Sequence, residues 1–392
     1  MTGEFTRRRM LQTAGILALA MVWGLSNSAF AGPKAVVEST EVISKTPEYY
    51  HGWPTLARRA DGELLLVYSG GREHHVCPFG RVELMRSHDG GKTWSWPRVV
   101  LDGPIDDRDA GVVETADGSI LITTFTSLAY EPILNRALAA KPGEAGAMSA
   151  EKLARWQAAH ERISDAQRKN DIGRWMVRSD DGGVTFSART NCLVDSPHGP
   201  TLLSDGRLLY PGKEVLKPDA RVAVAESTDD GKSWKFLSDI PTRPGDDPQN
   251  YHELHGVEAV DGTIIVQIRN HNKTNHRETL QCESRDGGKT WTIPHTIGVW
   301  GLPSHLLRLK DGRLLMTYGY RRKPYGNQAR ISSDNGQTWS EPMTISADGL
   351  GGDLGYPSTV ELDDGTLLTV WYELMKGSPN AVLRQARWSI SD

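Results

Sequence analysis

The feature that most constrains this chain is a turn it repeats. SHDGGKTW at 87–94 returns as SDDGGVTF at 179–186, STDDGKSW at 227–234, SRDGGKTW at 284–291 and SSDNGQTW at 332–339. Asp and Gly populate turns in any protein. Five copies of S-x-D-x-G-x-[TS]-[WF] in register are something else, an internal repeat. Between the boxes runs a second motif, Asp-Gly framed by strand-forming residues, with turns at Asp61, Asp117, Asp205, Asp261, Asp311 and Asp364. Asp-Gly between two apolar runs is a strong short-range hairpin signal.

The spacing turns these motifs into an architecture. Box starts are 92, 48, 57 and 48 residues apart, and the long interval fits one repeat plus an insertion. Two hairpins in roughly 48 residues match a four-stranded propeller blade. The sixth unit has no box and the chain stops soon after AVLRQARWSIS, so a strand near residues 36–43 is expected to complete it. The predicted fold is all-β, a six-bladed β-propeller over residues 32–392 with a helical insertion in the second blade at about 126–170. In that insertion Leu153, Trp156, His160 and Ile163 recur at helical spacing.

The first 31 residues read differently. Arg7, Arg8 and Arg9 precede a short apolar run and then Ala29-Phe30-Ala31, the form of a twin-arginine export signal with a cleavage site. About ten apolar residues are too few to span a bilayer. The expected location is periplasmic or secreted, without stable membrane insertion. Removing Glu4 and the three arginines leaves 42 basic against 48 acidic residues, an acidic balance that does not suggest nucleic acid as a partner. Cys77, Cys192 and Cys282 lie far apart and give neither a disulfide framework nor a zinc spacing. Nothing in the sequence calls for a cofactor or metal.

Blade geometry says where to look for chemistry. If Asp-Gly joins strands one and two, the start of the first strand and the end of the second share the opposite mouth of the channel. Eight residues before each turn stand Trp53, Asp109, Pro197, Glu253, Pro303 and Tyr356. Eight to eleven residues after come Arg72, Lys213, Arg269, Arg321 and Arg322. One mouth thus collects two carboxylates, a tyrosine and several cations. His198, in SPHGPTLL, either lines the channel or is an ordinary loop histidine.

Five boxes on six Asp-Gly hairpins resemble the bacterial sialidase superfamily of Asp-box propellers, over nearly the whole chain after residue 31. The boxes are structural in that resemblance. It implies a tyrosine nucleophile at Tyr356, activated by Glu253, with Arg269 sixteen residues beyond the glutamate as one carboxylate clamp and Arg321 or Arg322 as another. Tyrosine nucleophiles are a recognised exception among glycosidases. Two departures stand out. The family's first arginine, in Arg-Ile-Pro, is replaced by Gly52-Trp53-Pro54, which leaves Arg72 as the substitute charge. Its acidic Asp before the first box is absent from GGREHHVCPFGRVEL, where His75 is nearest and is able to act as acid near neutral pH. Asp109 is a further catalytic candidate, and Lys213 and His198 are candidate substrate contacts.

The expected activity is an exo-acting glycoside hydrolase on a glycan ending in a carboxylate sugar, sialic acid or a relative. A polysaccharide lyase acting on uronates and a non-catalytic carbohydrate-binding propeller are the alternatives. The insertion is expected to act as a lid, with Trp156 in the pocket wall.

Overall fold

Each Asp-Gly hairpin forms the first two strands of a four-stranded antiparallel sheet, and each box joins the third strand to the fourth. The computed structural model describes residues 32–214 and 221–391, so the segment read above as an export signal lies outside the described residues. Blade one runs Tyr50–Arg58, Leu64–Arg72, Arg81–Ser87 and Arg98–Leu101. Blade two begins at Asp106–Glu114, blade three at Thr201–Leu202, blade four at Tyr251–Glu258, blade five at Ser304–Arg308 and blade six at Leu354–Glu361.

The ring closes on itself. Blade six takes its fourth strand from the N-terminal side, where Lys34–Val42 pairs antiparallel with Ala381–Ser391, from Lys34 opposite Ser391 to Val42 opposite Arg384. This covers what would otherwise be an open strand edge beside the first blade.

Blades are covered on both faces, so their second and third strands are largely buried. Leu64–Arg72 is buried at every position but Gly71. The cores lie between neighbouring blades. Leu66, Tyr68 and Met85 of blade one pack with Leu368, Val370 and Leu383 of blade six, and Leu65, Val67 and Leu84 pack with Val112, Ile120 and Ile122 of blade two. The same arrangement continues round the ring.

The boxes fasten the blades together. In the first, Ser87 Oγ accepts from Gly91 N at 2.8 Å, while Asp89 accepts from Thr93 N at 2.9 Å and from Thr93 Oγ1 at 2.6 Å. Trp94 then donates from its indole to Gln385 of blade six at 2.8 Å. Trp339 of blade five donates likewise to Gln281 of blade four at 3.0 Å. The Asp fixes the turn and the aromatic ties it to the preceding blade.

The insertion sits between the second and third strands of blade two, Ile120–Ser127 and Arg174–Ser179. It contains helices α1 (Glu131–Ala139), α2 (Ala150–Glu161) and α3 (Asp165–Asp171). The helical stripe that starts at Leu153 is interrupted at Ser164, which opens α3 with a capping box to Gln167.

Candidate active site

Four inner strands begin in an unusual way. Trp53, Asp109, Glu253 and Tyr356 have φ of 54°, 49°, 43° and 51°. At each of them the ladder to the second strand slips register. Left-handed backbone costs an L-residue roughly 1–2 kcal/mol, and bulky side chains rarely adopt it. The consequence is convergence, because the bulge turns these side chains toward one another at the mouth of the channel. Blades three and five carry Pro197 and Pro303 at the same position, and a proline ring fixed near −65° cannot make this bulge.

Tyr356 and Glu253 meet there across the ring. The Tyr356 hydroxyl donates to Glu253 Oε1, and Arg269 Nη1 donates to Glu253 Oε2. Arg269 Nη1 is also 3.2 Å from Tyr356 Oη, and its Nε donates to His271 Nε2 at 2.9 Å. Arg321 stands over the Tyr356 ring at 5.8 Å and is steadied by a 2.9 Å bond from its Nε to the Leu354 carbonyl. Burial opposes ionisation of Glu253, but Arg269, the phenol and Arg321 outweigh it and hold the carboxyl below its ordinary value. Burial, followed by the charges of Glu253 and Asp109, pushes the Tyr356 phenol well up. The pair is therefore an ionised carboxylate accepting from a neutral phenol.

Asp109 is buried at 7% exposure, and its Oδ1 has no hydrogen-bond partner among the described residues. Burial, aided by the Glu253 charge and opposed by Arg108, Arg72 and Arg269, pushes its carboxyl up to about 7.

Trp53 forms a floor under the mouth and is 1% exposed. Two guanidinium groups stack on it, Arg72 at 4.9 Å and Arg108 at 4.4 Å. Their situations differ. Arg72 is fully buried and binds Asp106 through both ends of its fork, at 2.5 and 3.0 Å. It also donates to Ser69 Oγ and to the His75 carbonyl, each at 3.0 Å. The expectation that Arg72 substitutes for the missing clamp is corrected by this saturation. Arg108, which sequence counting passed over, is only half-buried, and its Nε has no hydrogen-bond partner among the described residues. The available signal was adjacency, since it immediately precedes the Asp109 bulge.

His75 lies beside this floor, its ring 5.0 Å from that of Trp53. Its Nδ1 is 2.9 Å from Asp353 Oδ1 and 2.9 Å from Tyr50 Oη. Tyr372 Oη donates to the same carboxylate at 3.1 Å. Asp353, Tyr50 and Tyr372 were not foreseen. Asp353 stands only three residues before Tyr356, but no repeat position marks it.

The remaining candidates lie further out or deeper. Lys213 is buried beside blade four and donates from Nζ to the Gln249 carbonyl at 2.6 Å. Arg322 is exposed and stacks on Trp300 at 3.6 Å. His198 lies inside the channel with its ring 6.5 Å from Tyr356, packed against His255 and His305. Burial, then His255, pushes it well below the usual imidazole range, so it is neutral. From these histidines a cavity of about 380 Å³ opens toward the Asp-Gly turns. None of the four bulged residues lines it, and its cations are engaged, Arg58 with Asp363 at 2.7 Å and Lys310 with the Leu362 carbonyl at 2.6 Å. The bulged residues and their arginine partners gather at the other mouth.

Trp156 does not form a pocket wall. It is 1% exposed and donates from Nε1 to Glu73 Oε2 at 2.9 Å, with Arg155 bonded to Glu73 Oε1 at 2.9 Å. It packs with Cys77, Tyr130 and Leu134, and so braces the loop that carries His75.

Comparison with known proteins agrees with this architecture. The family model described as BNR repeat-like domain matches residues 160–369, and one for the BNR/Asp-box repeat matches residues 85–95. A Bacteroides fragilis protein named sialidase is 27% identical over 260 residues, which is 61% of this chain and 42% of that protein. The chain therefore spans about two fifths of that relative's length. A Dyadobacter fermentans protein of unknown function superposes with a TM-score of 0.71 at 22% identity, covering 92% of this chain and 100% of its own. The NanB sialidase of Streptococcus pneumoniae superposes at 0.63 with 15% identity, covering 89% of this chain and 70% of that one.

Proposed function

The chain belongs to the BNR repeat-like family and has the six-bladed sialidase-like propeller, and from that premise we propose that it is an exported exo-acting glycoside hydrolase that removes a terminal carboxylate sugar from glycans. The observation that carries this reading is the buried contact of Tyr356, Glu253 and Arg269.

A neutral phenol is a weak nucleophile near pH 7 and needs a base within hydrogen-bond reach. Glu253 meets that need. In the first step Glu253 takes the phenol proton, Tyr356 Oη bonds to the anomeric carbon, and the glycosidic C–O bond breaks as His75 protonates the departing oxygen. In the second step water, deprotonated by His75, displaces the tyrosine oxygen, and Glu253 returns the proton to it. Arg269, Arg321 and Arg108 converge on the mouth and supply guanidinium forks for a sugar carboxylate.

The test is a panel of fluorogenic sialosides and uronides offered to the wild type and to Tyr356→Phe. Turnover by the wild type with water consumed, and loss of several orders of magnitude in a well-folded Phe variant, supports the reading. An unsaturated, ultraviolet-absorbing product points instead to a lyase. Retention of glycan without turnover points to a binding propeller.

A further inference from the structure

We infer that Asp353 is the positioning partner of His75, an aspartate brought from blade six that fixes the imidazole so that Nε2 presents its proton to the leaving group. This rests on the hydrolase reading above, and it supplies what the His75 loop lacks, a carboxylate at the acid.

The hydrogen-bond directions follow from the contacts. Tyr50 Oη donates to both oxygens of Asp353, at 3.0 and 3.1 Å, which uses its only hydrogen. Tyr372 Oη donates to Asp353 Oδ1 as well. His75 Nδ1 faces the same oxygen at 2.9 Å, so the hydrogen of that contact belongs to Nδ1. Nε2 is then the atom left to exchange protons, and the His75 side chain is 47% exposed, open to an incoming group. Burial opposes ionisation of Asp353, but His75, Tyr50 and Tyr372 together hold its carboxyl below its ordinary value. Asp353 is thus a fixed anion and not the acid itself.

Both sides of the pair are held. Asp353 immediately precedes the inner strand Leu354–Glu361. The His75 loop is tied from beneath by Arg72, which donates to the carbonyls of His74 at 3.3 Å and His75 at 3.0 Å. From outside it is tied by Glu73 to α2. The charged and titratable groups around the imidazole are Asp353, Tyr50 and Tyr372, with Arg72 below and His74 beside it. When Nε2 gives its proton to the glycosidic oxygen, the neutral ring keeps Nδ1–H on Asp353, so no tautomer change is needed before it accepts a proton from water. This is the logic of a base oriented by a third group.

Asp353→Asn tests it, with folding checked by thermal melting. In substrate-free protein, imidazole ¹⁵N spectra assigned with His75→Gln should show the neutral ring as Nδ1–H in the wild type and shifted toward Nε2–H in the variant. On a substrate turned over by the wild type, kcat should fall about 10- to 100-fold, part of what a general acid supplies, with KM changed less than about threefold. The loss should be larger for a sugar leaving group than for 4-nitrophenol, which needs little protonation, whereas general structural damage would slow both alike. An unchanged tautomer, or an Asn variant with the wild-type rate on both leaving groups, overturns the proposal. A wild type inactive on every glycoside sinks the hydrolase reading instead, and the ¹⁵N spectra then decide the pairing alone.

Discussion

Asp109 should make the protein pay in stability for its site as the pH rises. Its carboxyl is pushed up to about 7 in the folded protein, with burial as the largest cause. In the unfolded chain an aspartate titrates near 3.9. Below that value it is protonated in both states. Between the two values the folded protein binds the extra proton, so stability falls with rising pH by up to about 1.4 kcal/mol per unit, and the loss is complete above about 7. From pH 5 to pH 8 this amounts to about 2–3 kcal/mol. Asp109→Asn cannot ionise and should escape that loss. Other buried carboxyls are also pushed up, Asp107 to about 8 and Asp195 and Glu373 in the same direction, so the wild-type curve alone is not diagnostic. The difference between variant and wild type isolates the one group. Urea unfolding at pH 5, 6, 7 and 8 should show the Asn variant gaining about 2–3 kcal/mol on the wild type across the series. A difference that stays flat, or grows against the variant, would refute a buried Asp109 that holds its proton until about pH 7.

Three further outcomes are expected. Replacing Arg7 and Arg8 with Lys should leave uncleaved precursor in the cytoplasm of an expressing bacterium, and unchanged export on immunoblots of cell fractions would reject the twin-arginine reading. Replacing residues 128–172 with a short Gly/Ser linker should preserve the propeller, because Phe125 and Arg174 already face each other across the hairpin; it should also lower kcat at least tenfold by freeing the His75 loop, and wild-type turnover would show the insertion to be ornament. In the third box, the Ser233 hydroxyl leads the hydrogen bonds that hold Asp229 down to about 2, so its contribution is present above about pH 4 and is lost as the pH falls toward 2. Asp229→Ala should accordingly cost about 1 kcal/mol at pH 7, and equilibrium unfolding at pH 3 and below should show that gap closing.

The repeat was legible because its physics is local. A box closes through hydrogen bonds spanning two to four residues, such as Ser87 to Gly91 and Asp89 to Thr93, so its residues must sit together in the chain. The Asp-Gly hairpins are equally local, and counting eight residues back from each turn reached all four bulged positions, including Glu253 and Tyr356. Their positive φ was not legible, since Trp and Tyr carry no sign of a left-handed backbone; only prolines at 197 and 303 hinted that the position was special.

Partnership across the ring belonged to the tertiary structure alone. Tyr356 and Glu253 are 103 residues apart, His75 and Asp353 are 278 apart, and Tyr50 and Asp353 are 303 apart. Contacts of that separation depend on how six blades close into a circle, which brings the last blade beside the first. Ring closure put Asp353 against His75, while the seating of blade two beside blade one spread two arginines over Trp53, one sealed by Asp106 and one whose Nε has no hydrogen-bond partner among the described residues. The same seating of blade two beside blade one turned Trp156 from the wall of a pocket into the brace behind a loop. The sequence by itself determined the blades, their turns and the mouth that gathers polar groups. Which of those groups face one another, and which are already satisfied, was decided by how the blades pack side by side and close into a ring, because no local pattern encodes which strands of different blades meet.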